Sequence, residues 1–226
     1  MTLSLLEQTP LFHRQLDILS PTQTTPVVLI GAGSIGSAIG VMLAKLGVQH
    51  LTIFDPDTIE DHNLSNQLFP RSALSNNKAE ALKDFLELLA PTEGTVSINA
   101  QNNVWDNETI APVVIVAVDS MSTRKEIYEV LKTKYGVITM VDTRMGGEKM
   151  RLYAGRPSDP GFQSFYEANL YDDSEADELP CTARTIVYNV FSVAGLVGSI
   201  LKKSWIGEPY AREIIFDLDS LGFYKG

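Results

Sequence analysis

The chain has 226 residues, enough for one sizeable hydrophobic core. Hydrophobic residues make up 44% and charged residues 20%, a globular balance, and the net charge of -10 argues against a nucleic-acid or acidic-membrane partner, which would want a basic face. A single cysteine, Cys181, excludes a disulfide framework and a four-cysteine zinc site within one chain, and it fits a reducing, cytoplasmic setting.

Residues 1–25 read as a polar N-terminal extension. No signal peptide is expected, because "MTLSLLEQTPLF" lacks a basic region and meets Glu7 early. Residues 26–31 form an apolar run, predicted to be a buried parallel strand. A helix is predicted over Ser37–Leu46, with Gly47 as its C-cap. "LTIF" (51–54) reads as the second strand. Ala79, Leu82, Phe85, Leu86 and Leu89 recur at helical spacing in residues 78–89, and Pro91 ends that helix. "TVSIN" (95–99) and the wholly apolar "VVIVAV" (113–118) are further strands. "STRKEIYEVLKTKYG" (122–136) reads as a helix and "VITMVD" (137–142) as a strand. Alternating strands and helices predict an α/β, doubly wound, Rossmann-like, mainly parallel sheet, with residues 26–145 as its nucleotide-binding half.

The pattern then changes. "EKMRLYAG" (148–155) follows the turn "MGG" and reads as an antiparallel strand. "YDDSEADELP" (171–180) is an acidic loop. A long helix is predicted over 182–203, buried or forming a dimer seam, with Ala194, Gly195 and Gly198 allowing close approach. "EIIFDLDS" (213–220) is the last predicted strand. Residues 146–226 thus add antiparallel strands, the loop and the helix to a single domain. No apolar stretch is long enough for a bilayer.

Gly31, Gly33 and Gly36 form G-x-G-x-x-G after a strand and at the opening of a helix. The first glycine permits the tight turn, the second lets backbone approach a phosphate, and the third lets the helix pack on the strand. Asp55 ends the next strand, where a carboxylate can take ribose hydroxyls. These residues alone fit a nicotinamide dinucleotide, another nucleotide, or a turn used only for packing.

The stretch "LTIFDPDTIEDHNLSNQLF" (51–69) separates these readings, because a dehydrogenase has no use for its polar Asn-x-x-Asn-Gln segment. Here the chain resembles the ThiF/MoeB family, which includes the adenylation domains of ubiquitin-activating enzymes. That family has a strand ending in Asp-x-Asp and then an Asn-Leu-x-Arg-Gln segment. Asp55, Asp57, Asn63, Leu64 and Gln67 match it, and the family's arginine falls on Asn66. "SNNKAEAL" places Lys78, "VAVDSMSTR" places Asp119 and Arg124, and "FHRQLDIL" places Arg14 and Gln15 on further family positions. The resemblance runs from about residue 10 to 145 and is looser beyond.

The resemblance implies ATP with Mg2+, and adenylation of the C-terminal carboxylate of a ubiquitin-like or sulfur-carrier-like protein or peptide. By likeness, Gly31, Gly33, Ser34, Ile35 and Gly36 would cradle phosphate and Asp55 would hold the ribose. Lys78 would sit on phosphate oxygens, and Asp119 would organise the magnesium. Asn63 and Gln67 would bond phosphate or ribose oxygens, with Asp57 and Asn66 in the same binding set. Arg14 would reach the γ-phosphate of a neighbouring subunit, which implies a homodimer. Cys181 would take the acyl group.

Other readings stay open. Lys78 can be a solvated helix start, Asp119 a helix N-cap, and Asp57 and Asp61 surface charges. Arg14 can be a plain surface residue and Cys181 a small buried one. Asn66 replaces a fixed cation by a neutral amide, for which Arg71 can substitute, and Ser34 stands where relatives often carry glycine. The rivals are therefore a nucleotide-binding scaffold, an activator of a small-molecule or tRNA-linked carboxylate, and an NAD(P)-dependent oxidoreductase. Arg144 faces a substrate channel or pairs with Glu148 beside the Gly146–Gly147 turn. His13, His50 and His62 are scattered and suggest no metal cluster, and no zinc is expected.

Overall fold

A computed structural model describes residues 10–90, 96–172 and 185–226. The strands are β1 (Val27–Ile30), β2 (His50–Phe54), β3 (Ser97–Gln101), β4 (Val113–Val116), β5 (Thr139–Gly146), β6 (Lys149–Gly155), β7 (Glu213–Asp217) and β8 (Gly222–Lys225). They form one eight-stranded sheet in the order β3-β2-β1-β4-β5-β6-β7-β8. Pairing is parallel from β3 to β5 and antiparallel from β5 to β8. This is the mixed sheet that the change of pattern after residue 142 predicts.

The helices are α1 (Ser34–Leu46), α2 (Lys78–Leu89), α3 (Met121–Leu131), α4 (Pro160–Glu167) and α5 (Val187–Ile206). Strands β1 and β4 are buried at every position, as central strands covered on both faces must be. Alternate residues serve opposite faces. Val27, Leu29, Val113 and Ile115 meet α1, α2 and α5. Val28, Ile30, Val114 and Val116 meet Ile127, Tyr128 and Leu131 of α3 and Phe162 and Tyr166 of α4. Strand β5 is shared between the two halves. Its residues Met140–Asp142 pair with both β4 and β6, Thr139 pairs with β4 alone, and Thr143–Gly146 pair with β6 alone. That overhang carries residues 143–146 past the last paired residue of β4.

Gly47 ends α1 in the left-handed conformation at φ 83°, as predicted, with the Phe12 ring against it. Four predictions need correction. The long helix starts at Val187 and ends at Ile206, and of its two glycines only Gly198 allows a close approach, to Met42 of α1; a side chain at Gly195 would meet nothing. The helix predicted over 122–136 stops at Leu131. The last predicted strand stops at Asp217 and turns back through Leu221, at φ 53°, into β8. Helix α4 was not foreseen, although its start is readable: Asp159 accepts the Phe162 N–H at 2.8 Å, and Pro160 occupies the first turn. No described helix is long and apolar enough to cross a membrane.

Candidate nucleotide site

The strand order reverses direction at β1, so a crevice opens between the carboxyl ends of β1 and β4. The glycine turn follows β1, and Asp119 follows β4. Each glycine has its own reason. Gly31 stands at φ 99°, and a Cβ there would lie 2.6 Å from the Ala117 carbonyl oxygen. A Cβ on Gly36 would lie 2.0 Å from the Gly31 carbonyl oxygen, so helix and turn require glycine for contact. A Cβ on Gly33 would meet nothing within 4 Å, so that face of the turn is open. Gly33 is the N-cap of α1, and no side chain caps the helix. An uncapped helix start facing open space presents N–H donors and a positive dipole end to an anion. Ser34, Ile35 and Gly36 form that first turn.

Asp55 ends the β2 run and is 6% exposed. Its carboxylate accepts the Ala32 N–H at 2.6 Å and the Asp57 N–H at 2.9 Å, so it braces the glycine turn against the next loop. Burial pushes the Asp55 pKa above the ordinary carboxylate range, while those two N–H groups and the nearby Lys78 ammonium pull it down. Asn77 caps α2 by accepting the Glu80 N–H, and its amide donates to the carbonyls of Asp55 (2.8 Å) and Asp57 (3.0 Å). The signal for this tether was an Asn directly before a helix start, which sequence reading passed over.

Lys78 is 9% exposed, so it is no solvated helix start. Its ammonium lies 2.8 Å from Asp57, which makes Asp57 an ion-pair partner rather than an isolated surface charge. Asp61, in contrast, is exposed as read. Asp119 is exposed and does not cap α3, because Ser120 does, by accepting the Thr123 N–H at 3.1 Å.

Asn63 is buried, and its side-chain oxygen accepts the Glu60 N–H at 3.0 Å, which shapes its own short helix, Asp61–Ser65. The segment that follows lies against the first turns of α1, where the Ser37 hydroxyl accepts the Leu68 N–H at 3.0 Å. There the buried side-chain oxygens of Asn66 and Gln67 have no hydrogen-bond partner. Unmatched buried acceptors beside an open anion cradle suit a ligand carrying both hydroxyl or amino donors and phosphates. Arg71 is exposed, on the short helix Arg71–Ala73.

Arg14 stands apart. It lies in the segment that packs on the far end of α1, where Gln15 donates to the Leu46 carbonyl at 3.0 Å and Phe12 covers Gly47. Thirteen helical residues, about 20 Å, separate that end from the glycine turn. Cys181 lies outside the described residues.

Arg144 corrects both of its readings. It is buried, and it neither lines a channel nor pairs with Glu148. Its Nε donates to Asp142 at 2.8 Å and its Nη1 to the Asn169 carbonyl at 2.8 Å, with the guanidinium 4.4 Å from the Tyr153 ring centre. Asp142 also accepts from Arg124 and, at 2.9 Å, from the Tyr166 hydroxyl. Burial lowers the Arg124 pKa to about 10, so it stays protonated at neutral pH. Sequence reading missed this cluster, because its members come from β5, α3 and α4.

Among the described residues no three or more His, Cys, Asp or Glu side chains gather as a metal cage. A magnesium site built from one carboxylate and nucleotide phosphates needs no cage, and Asp119, exposed and two residues past the Ala117 that meets Gly31, fits that type.

An uncapped glycine turn at the switch point of a doubly wound sheet defines the class: a nucleotide-binding α/β protein. The ThiF family model matches residues 14–220, and the chain belongs to that family. It is 26% identical over 183 residues to the sulfur carrier protein ThiS adenylyltransferase of Escherichia coli, covering 77% of this chain and 69% of that protein. It is 42% identical over 72 residues to the uncharacterized protein y4oA of Sinorhizobium fredii, which is 32% of this chain but only 12% of that protein. The crystal structure of E. coli MccB with AMPCPP and MccA superposes with a TM-score of 0.74 at 17% identity, covering 98% of this chain and 72% of that one.

Proposed function

We propose that the chain is an ATP-dependent adenylyltransferase that activates the C-terminal carboxylate of a ubiquitin-like or sulfur-carrier-like protein or peptide. The observation that carries the reading is the uncapped start of α1, open at Gly33. Family membership and the ThiS adenylyltransferase relative support the chemistry.

In the reaction a carboxylate oxygen bonds to the α-phosphorus, the α–β phosphoanhydride bond breaks, and pyrophosphate leaves. The protein's part is to orient the groups and stabilise the developing charge. The α1 amides would hold phosphate oxygens. Lys78, buried and paired with Asp57, would add a point charge there. Gln67 and Asn66 would accept from hydroxyl or amino groups of the nucleotide. Asp55 would accept from ribose while keeping the turn in shape. Asp119 would hold magnesium, which when bound neutralises phosphate charge. Arg14 cannot serve its own cradle, so it would act on a second copy.

The second copy would cover the outer face of α5. Ile186 at its N-cap and Val187, Tyr188 and Phe191 in its first turns are exposed, Phe191 by 54%. Cys181 as acyl acceptor belongs to the same reading. The whole chain would act as one adenylation domain, in a cytoplasmic setting.

Thermal unfolding with Mg-ATP and, in parallel, with NAD tests the reading. A ligand at one hundred times its Kd stabilises the native state by about 2.7 kcal/mol. An upward shift with Mg-ATP and none with NAD, reduced in Asp119→Ala to the shift that ATP gives without metal, is the expected result. A shift with NAD alone refutes it. A shift with Mg-ATP but no carboxylate-dependent pyrophosphate exchange, restored by Asn66→Arg, would assign the chain to the scaffold reading.

A further inference from the structure

Asp142 is fully buried at the point where β5 stops pairing with β4. Its carboxylate takes Arg124 on one oxygen, and Arg144 Nε and the Tyr166 hydroxyl on the other. Arg124 does more than neutralise it. The same guanidinium donates to the Thr143 carbonyl at 3.2 Å and to the Val118 carbonyl. Thr143 in turn donates through its hydroxyl to the Val116 carbonyl at 3.1 Å. The chain end after β4 is therefore gripped at Val116 by Thr143 of β5 and at Val118 by Arg124 of α3, and Asp119 is the next residue. The Asp119 carboxylate also acts electrostatically on Arg124. On the other side, Ala117 touches Gly31, so the gripped segment is also the floor of the glycine turn.

The arrangement is not what stability alone would favour. Two guanidinium groups share one carboxylate in the interior, and Arg124 Nε and Arg144 Nη2 have no partner. Buried ion pairs are often no more stabilising than apolar residues of the same volume. Such a cluster is better explained by what it holds in place.

We propose that Asp142 is a positioning residue for Asp119: it holds Arg124 in a fork whose other arm clamps the Val118 carbonyl and so fixes the peptide that presents Asp119 to a nucleotide-bound metal. Arg144 and Tyr166 hold Asp142 from behind. The inference rests on the adenylation reading above.

The test compares wild type with Asp142→Asn, which keeps the shape and removes the charge, and Arg124→Lys, which keeps the charge and removes the fork. Tyr166→Phe, which removes one hydrogen bond to Asp142, is the milder variant should either of these not fold. Each protein is unfolded thermally with ATP in EDTA and with ATP over a magnesium titration. The expected result is an unchanged response to ATP in EDTA and at least a ten-fold rise in the magnesium concentration giving half of the metal-dependent increment. Tyr166→Phe should move it in the same direction by a smaller factor. A merely structural cluster would lower every unfolding temperature equally and leave the magnesium midpoint within two-fold of wild type, and that result overturns the proposal. A wild type with an ATP response but no metal-dependent increment overturns the role given to Asp119, and with it this inference. No ATP response at all overturns the nucleotide reading itself.

Discussion

Replacing Asn77 separates two functions of one side chain. Its oxygen caps α2, and its amide nitrogen ties down the Asp55 and Asp57 carbonyls. Loss of an N-cap costs about 1 kcal/mol. Each of the two buried amide hydrogen bonds adds about 1 kcal/mol. Asn77→Ala should therefore lose about 3 kcal/mol. Asn77→Ser restores the cap acceptor but not the donors, and should lose about 2 kcal/mol. Asn77→Asp keeps the cap but sets a carboxylate against two carbonyls, close to the buried Asp55, and should be the worst of the three despite its good capping chemistry. Urea unfolding followed by circular dichroism would read these values, with unchanged slopes confirming that the unfolded states compare. At roughly 2–4 °C per kcal/mol for a chain of this size, Asn77→Ala should also melt roughly 6–12 °C lower. Equal losses for Ala and Ser, or an Asp variant as stable as wild type, would refute the idea that the amide donors hold the loop.

Three further outcomes follow from the geometry. Gly33→Ala should leave the unfolding midpoint of the ligand-free protein within about 0.5 kcal/mol of wild type while shrinking its response to Mg-ATP, whereas Gly36→Ala should destabilise the ligand-free protein outright, because its Cβ meets the Gly31 carbonyl; parallel thermal melts decide both. The pKa of Asp55 is raised in the folded state, so its contribution to stability is fully present below the unfolded value of about 3.9 and is lost as pH rises through the folded value; urea midpoints from pH 4 to 7 should therefore fall for wild type relative to Asp55→Asn, and a pH-independent difference would contradict the assignment. If the outer face of α5 joins two copies, Phe191→Asp should convert a dimer to a monomer in sedimentation equilibrium, and a wild-type monomer at all concentrations would remove that role for Arg14.

Local signals carried much of the fold into the sequence. Wholly apolar four-residue strands, a G-x-G-x-x-G turn and a helix closed by Gly47 are each written in a few consecutive residues, and those elements stand as read, except that the helix begins at Ser34 rather than Ser37. Helix α4 and the β7–β8 hairpin escaped because their signals are weak. The helix has only eight residues, and the hairpin turns at a leucine rather than at Asn-Gly. The site divides the same way. The glycines and Asp55 announce themselves by spacing. For Lys78 the solvated alternative stayed open because its partner Asp57 lies 21 positions away. Arg144 looked as if it belonged with its near neighbour Glu148, but the pairing that wins is with Asp142 on its own strand, backed by a tyrosine from a helix that sequence reading had not placed. Periodicity encodes which face a residue occupies and says nothing about which distant side chain waits there.

The bare N-cap at Gly33 has a wider implication. A serine or aspartate there would satisfy the helix from within, at a gain of roughly a few tenths of a kcal/mol over glycine. Glycine leaves the first-turn donors held by no side chain of the chain itself and facing solvent. An acceptor supplied from outside would replace water there, so the helix start keeps its strongest partner for a ligand. Gly33→Asp would be a built-in counterfeit of that ligand: it should raise the melting temperature of the empty protein and abolish its response to nucleotide.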